Sequence, residues 1–175
     1  MNYFQLFGLE QQFNVDINNL ADLYQALQKT VHPDRFAHAS SQEQLLAVQK
    51  SSMINDAYQT LKNPLKRAEY LLKVRGTELP NEQSSFSDNH FLMRQMELRE
   101  MMMDVKMADD ADAAIFEVSQ VLDSEFEQLF GLLNQQLAEN SAASNQLASD
   151  NLRKLKFYQK LHVELERLED QLLDD

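Results

Sequence analysis

The 175-residue chain has no cysteine and no tryptophan, and only three glycines and three prolines. The missing cysteine excludes disulfides, thiol nucleophiles and thiolate ligands for zinc or an iron–sulfur cluster. Scarce glycine and proline leave few of the turns that strands require. Leu, Gln, Glu, Ala and Lys, all good helix formers, are plentiful. No apolar run approaches the roughly 20 residues that a spanning helix needs. The opening Met-Asn-Tyr-Phe-Gln also lacks the basic and apolar regions of a secretory signal. The expectation is a cytoplasmic protein with no membrane partner. There is no glycine-rich phosphate loop, HExxH pattern or nucleophile–base arrangement, so neither a catalytic residue nor a cofactor is expected.

What is present is 43% hydrophobic residues, enough for a core, and a net charge of −12. That charge is unevenly spread. Residues 1–75 hold eight Lys/Arg against seven Asp/Glu, whereas residues 76–175 hold eight against 21. The asymmetry predicts two units with different partners. An acidic chain without basic clusters is poorly suited to phosphate contacts, so nucleic acid is not expected as a partner.

Helical periodicity runs through most of the chain. A short helix over Tyr3 to Leu9 ends at Gly8. The next, capped by Asp16, repeats Leu20, Leu23, Leu27 and Val31. Pro33 lacks an N–H and biases His32 away from helical angles, which ends that helix. A third runs from Ser41 to Leu61, with Met53, Ala57 and Leu61 on one face and Ile54 and Tyr58 beside it. Pro64 restarts the chain into a fourth helix that stops at Gly76. Residues 76–87 read as a linker. Three longer patterns follow. Residues 88–108 repeat Phe91, Leu98, Met102 and Val105. Residues 111–139 repeat Ile115, Val118, Leu122, Phe126, Leu129, Leu133 and Leu137. Residues 147–173 repeat Leu152, Leu155, Tyr158, Leu161, Leu165, Leu168 and Leu172. Short polar links between them predict an antiparallel three-helix bundle. The fold class is all-α, with a helical hairpin over 1–75, a linker over 76–87 and the bundle over 88–175.

The turn between the second and third helices carries His32-Pro33-Asp34. Pro33 rigidifies it, His32 both donates and accepts hydrogen bonds, and Asp34 can pair with a partner's cation or cap the local backbone. A plain helix-ending turn with a capping Asp is the competing account. Metal binding by His32 and His38, with Asp34 between them, is disfavoured because no further ligand clusters with them; His90 and His162 are isolated polar residues.

The helix over 88–108 has more apolar surface than a bundle core uses. Residues advance 100° each, so Leu98 and Met102 fall within about 20° of Phe91. Leu92, Met103, Met96, Glu100, Met93, Asp104 and Glu97 spread across the opposite side. Phe157 lies about 200° from Leu155 and so off the last helix's leucine stripe. Adaptable methionines beside acids suit a binding face; filling of an irregular core is the alternative.

His-Pro-Asp between two amphipathic helices resembles a J-domain, the module with which co-chaperones stimulate ATP hydrolysis by DnaK-class chaperones. The resemblance extends further. NYFQLFGL (2–9), HPDRF (32–36), INDAYQTLKNPLKRAEYLL (54–72), FLMRQMELRE (91–100) and RKLKFYQKL (153–161) are similar to stretches of the HscB family, over nearly the whole chain. It implies a J-domain meeting the chaperone HscA and a C-terminal bundle holding the iron–sulfur scaffold IscU. It further implies a role in maturing iron–sulfur proteins. On the family's pattern, His32, Pro33, Asp34, Lys29 and Arg35 meet the chaperone. Leu92, Met93, Met96, Glu97, Glu100, Asp104 and Phe157 meet the scaffold, with Met96 standing for a common leucine and Asp104 for a common glutamate. Val31 stands where an aromatic often precedes the tripeptide. Another J-protein client, or an acidic helical adaptor whose tripeptide is incidental, are the rival readings.

Overall fold

The computed structural model describes residues 1–81 and 86–174, so part of the expected linker lies outside the described residues. Among those described, the chain is all-α, with no strand. The helices are α1 (Tyr3–Leu6), α2 (Ile17–Val31), α3 (Ser41–Lys62), α4 (Pro64–Val74), α5 (Asn89–Val105), α6 (Ala111–Glu139) and α7 (Ala142–Leu173). A 3-10 turn, Pro33–Phe36, joins α2 to α3. The chain divides into two compact units: Met1–Leu79 with Gln136–Gln146, and Pro80–Gln135 with Leu147–Asp175.

In the first unit, local chemistry sets nearly every helix end. Asn2 and Gln5 form a reciprocal capping box on α1, and the Asp16 carboxylate accepts from the Asn18 and Asn19 N–H groups at 3.0 and 3.1 Å. Asn63 caps α4, with Pro64 in the first turn where no N–H is needed. Helices α1 and α4 both stop on a glycine with positive φ, Gly8 at 66° and Gly76 at 80°. At each, crossed bonds back into the last turn (Leu9 N–H to Phe4 O, Thr77 N–H to Leu72 O) satisfy carbonyls that the helix leaves open.

These ends aim a set of apolar side chains at one core: Phe4, Phe7, Phe13, Leu20, Ile54, Ala57, Leu61, Leu65, Leu71 and Leu72 are all buried. Each fully buried Leu or Phe contributes about 1.5–3 kcal/mol. Between α2 and α3, Tyr24 and Tyr58 stack with ring centres 4.1 Å apart, and Gln28 exchanges hydrogen bonds with Ser51. The expected α3 face needs one correction. Met53 is 45% exposed, and the buried row is Ala47, Ile54, Ala57 and Leu61. Steps of seven, three and four keep a row on one side of a 3.6-residue helix, whereas repeated steps of four drift off it. On α2 only Leu20 is fully buried; Leu23, Leu27 and Val31 are half-buried, because α3 covers one side of that helix. Arg67 is also buried, donating from Nε to Phe13 O and from Nη1 to Leu61 O, both at 2.7 Å, with its guanidinium over the Phe13 ring.

The α6–α7 turn belongs to this first unit, although the sequence assigned it to the bundle. Arg75 Nη1 donates to Leu137 O at 2.8 Å and to Asn145 Oδ1 at 3.0 Å. Helix α7 starts at Ala142 rather than 147 because Ser141 caps it: the Ser144 N–H reaches Ser141 Oγ at 3.0 Å, and the Ser141 N–H reaches Ser144 Oγ at 2.8 Å. Asn140 turns the chain at φ 53°, a conformation asparagine tolerates better than most residues. Hence Ala-Ala-Ser-Asn-Gln (142–146) is helix, where its polar, unperiodic composition suggested a link.

The second unit has a core of Phe91, Leu98, Met102 and Val105 from α5, Ile115, Val118 and Leu122 from α6, and Tyr158, Leu161 and Leu165 from α7. Phe126, Leu129, Leu168 and Leu172 pack partly buried around it. Asp110 caps α6 by accepting from the Ala113 N–H at 3.1 Å. All four residues of the expected α5 stripe are core.

Candidate functional site

Two places carry unusual surface chemistry. The first is the turn after α2. His32 takes extended angles and caps the 3-10 turn: its Nδ1 accepts from the Asp34 N–H at 3.2 Å. The same nitrogen lies 3.5 Å from the Asp34 carboxylate, but it can donate there only when the ring is protonated. An Nδ1 that accepts this N–H leaves the other ring nitrogen as the imidazole's donor. Asp34, 92% exposed, is then left to solvent or to a partner. Arg35 Nη1 donates to Lys29 O at 3.3 Å, closing the end of α2 with a cation where the helix dipole is negative. Lys29 and Arg35 are both exposed, so His32, Pro33, Asp34, Lys29 and Arg35 form one exposed cluster.

Gln44 was not visible in the sequence as part of this site. Its Nε2 lies within 3.0–3.4 Å of the Phe36, Ala37 and Ala39 carbonyls. One amide from α3 thus fixes the loop that follows the tripeptide. A glutamine on a polar helix face gives no one-dimensional signal of that.

The second place is the outer side of α5. Met93, Met96 and Met103 are 63%, 71% and 69% exposed, against 7% or less for the inward stripe. Glu97, Glu100 and Asp104 are exposed beside them, and Leu92 is half-buried. Phe157 departs from the expectation of an outward residue. It is half-buried at the rim of the core, edge-on to Phe91 with ring centres 5.7 Å apart, and the Arg99 guanidinium lies over it at 5.7 Å. Its 200° offset does take it off the leucine stripe, but α5 packs close enough to cover one side of the ring. Met96, Glu100 and Phe157 line one open hollow of about 540 Å³, whereas Leu92, Met93, Glu97 and Asp104 lie outside its lining.

Glu97 is not a loose carboxylate. Arg94 Nη1 donates to it at 2.6 Å, while Arg94 Nε donates to Glu125 at 2.7 Å and the Tyr158 hydroxyl donates to Glu125 at 3.2 Å. Hydrogen bonding to Glu97, then to Glu125, raises the Arg94 pKa despite partial burial. Burial first, and then the Glu125 charge, push the Tyr158 phenol well above its usual value. Asp88 caps α5 and accepts from Lys154 Nζ at 2.8 Å, which holds its carboxyl below the usual range. No cluster of three or more metal-ligating side chains occurs among the described residues, and no described helix is long and apolar enough to cross a membrane.

An exposed His-Pro-Asp turn between paired helices, on a chain that also carries a helical bundle with exposed methionines, defines a J-domain protein with a second helical module. A DnaJ-domain family model matches residues 2–70, and the model described as the HSCB C-terminal oligomerisation domain matches residues 87–166. The chain is 65% identical to the co-chaperone protein HscB homolog of Colwellia psychrerythraea over 175 residues, covering both chains fully. It is 50% identical to that of Aeromonas salmonicida, covering 99% of each. Among solved structures, chaperone HscB from Vibrio cholerae matches with a TM-score of 0.86 at 46% identity, over 98% of this chain and 99% of that one. The human co-chaperone protein HscB matches at 0.87 and 28% identity, over 97% and 82%. The chain belongs to the HscB family of J-domain co-chaperones. A J-domain implies a partner of the Hsp70 type.

Proposed function

We propose that this chain stimulates the ATPase of a specialised DnaK-class chaperone of the HscA type and delivers to it the iron–sulfur scaffold, of the IscU type, so promoting maturation of iron–sulfur proteins in the cytoplasm. The observation that carries this reading is the pairing, on one chain, of an exposed His32-Pro33-Asp34 turn with an uncovered apolar face on α5. The turn offers a partner an imidazole N–H and a carboxylate, with Lys29 and Arg35 alongside to meet an acidic surface. The α5 face, with Leu92, Met93 and Met96 among Glu97, Glu100 and Asp104 and with Phe157 at its edge, offers the scaffold an apolar patch with a charged rim. A micromolar affinity requires about 8 kcal/mol, within reach of a small interface of that kind.

The chain itself needs no catalytic residue and no cofactor for this role: bond cleavage belongs to the chaperone, and the cluster stays with the scaffold. The deciding experiment is steady-state ATPase of the chaperone, with and without scaffold, in the presence of this protein or of His32→Gln. The expected result is stimulation by the wild type, more with scaffold present, and none by the variant. No stimulation by folded wild-type protein would leave an acidic adaptor; stimulation indifferent to the scaffold would leave a J-protein with another client.

A further inference from the structure

We infer that the scaffold's footprint runs further along α5 than Met96: past Arg99 it enters a second hollow between α5 and α7, where Met103 receives an apolar side chain of the scaffold and acts as a further specificity-determining residue. This rests on the proposal that the outer side of α5 receives the scaffold.

The first ground is alignment. With Phe91 at zero and 100° per residue, Leu92 falls at about 100°, Met96 at about 140° and Met103 at about 120°. Steps of four and seven keep all three on one band of the helix surface. Met103 lies two turns beyond Met96, about 10 Å along the axis, and is 69% exposed. The apolar band thus outruns the hollow that Met96 shares with Glu100 and Phe157.

The second ground is what Met103 borders. It lines a hollow of about 270 Å³ together with Arg99, Met102, Glu164 and Leu168. A closed cavity of roughly 150 Å³ holds a benzene ring, so an open hollow of this size has room for a large apolar side chain. Met102 is buried and Leu168 half-buried, so the exposed Met103 has an apolar base beside it.

The third ground is continuity. Arg99 lines both hollows. Its Nη1 donates to Glu164 at 2.6 Å, and its guanidinium lies over Phe157 at 5.7 Å. These contacts tie α5 to α7 where the two hollows join. A partner seated on Met96 and Phe157 therefore meets Met103 on the same surface without displacing Arg99. Single exposed apolar residues are ordinary on any protein. Met103 differs in sharing the phase of the proposed face, bordering a recess that already exists, and being reached from Met96 across a held side chain. Continuity with that face makes the scaffold the occupant; a second copy of this chain is the rival.

The test is titration calorimetry of the full-length protein with an IscU-type scaffold at low and high salt. The proteins are the wild type, Met103→Gln, Met103→Leu, Met96→Gln and Met107→Gln. Glutamine keeps the length and helix propensity of methionine while making its end polar. Met107 is 86% exposed and lies outside both linings. Circular dichroism checks that each variant is folded; if Met103→Gln fails that check, Met103→Ala carries the comparison. The expected result is a Kd raised roughly three- to tenfold by Met103→Gln, equally at both salt concentrations because an apolar contact is not screened. Met103→Leu and Met107→Gln should stay within about twofold of wild type. Weakening by Met96→Gln without weakening by Met103→Gln ends the footprint at Met96 and overturns the extension while leaving the scaffold reading intact. An equal loss from Met107→Gln overturns a specific role for Met103. Sedimentation velocity covers the rival: self-association lost in Met103→Gln with scaffold binding unchanged gives the hollow to a second copy and overturns the inference. Absence of scaffold binding by the wild type overturns both readings.

Discussion

Leu98 and Met96 stand two residues apart on α5, yet they are 1% and 71% exposed, which allows core and binding face to be separated by stability alone. Truncating Leu98 to Ala removes three buried carbons at about 0.8 kcal/mol each, about 2.4 kcal/mol, before the cavity adds to it. The expected loss is about 3 kcal/mol, or a fall in Tm of roughly 6–12 °C for a chain of this size. Met96→Ala leaves no cavity, since most of its side chain is already in water, and should change stability by less than about 0.5 kcal/mol. Urea unfolding followed by circular dichroism, with the slope checked for equality, measures both. A loss from Met96→Ala comparable to that from Leu98→Ala would show that the outer methionines are core, and would remove the basis for a client face on α5.

Phe157→Ala should destabilise by about 1–3 kcal/mol, because its ring meets Phe91 edge-on and sits under Arg99; any loss of scaffold binding in this variant has to be read against a melting curve. Arg67→Met should cost about 2–4 kcal/mol in urea unfolding, since it strips hydrogen bonds from the buried Phe13 and Leu61 carbonyls; a neutral result would show that those carbonyls find other donors. The Asp88 carboxyl, lowered chiefly by its hydrogen bond from Lys154 and then by the Phe91 N–H, stabilises the fold above the ordinary carboxylate range and loses that contribution as pH falls through its depressed folded value. Asp88→Asn should therefore be less stable than wild type at neutral pH, with the difference shrinking below about pH 4; a difference constant with pH would show that capping alone is at work. Gln44→Ala should speed amide exchange across 36–40 while leaving global stability within about 0.5 kcal/mol; unchanged exchange would show that the loop is held by other contacts.

Much of this was legible in one dimension because burial on a helix repeats. Phe91, Leu98, Met102 and Val105 could be read as core from spacing, and the helix starts from Asp16 and Pro64 and stops from Gly8 and Gly76, since each is a local chemical requirement of a helix end. Three kinds of feature were not legible. The start of α7 hid behind Ser141 and Asn140, whose cap and turn depend on backbone angles rather than apolar rhythm. Assignment of the α6–α7 turn to the first unit depends on Arg75 reaching Leu137 and Asn145, contacts 62 and 70 residues apart in sequence. Met53 went to solvent because a row of three residues fits either of two neighbouring faces until the facing helix is known.

The charges between α5 and α7 show why the apolar part of a surface is easier to read than its charged part. A buried stripe fixes a phase on the helix, so an apolar residue out of phase stands out, as Met93, Met96 and Met103 did. A charged side chain carries no such phase: it is acceptable on any exposed face of a long helix. Only when α5 and α7 lie side by side does the Arg99 guanidinium meet both Glu164 and the Phe157 ring beside Met96. Net charge, strongly negative over this half of the chain, conceals that arrangement. An apolar patch sets how much can be bound. The placement of the charges around it decides which surface binds and in what pose, and that placement depends on which helices are neighbours.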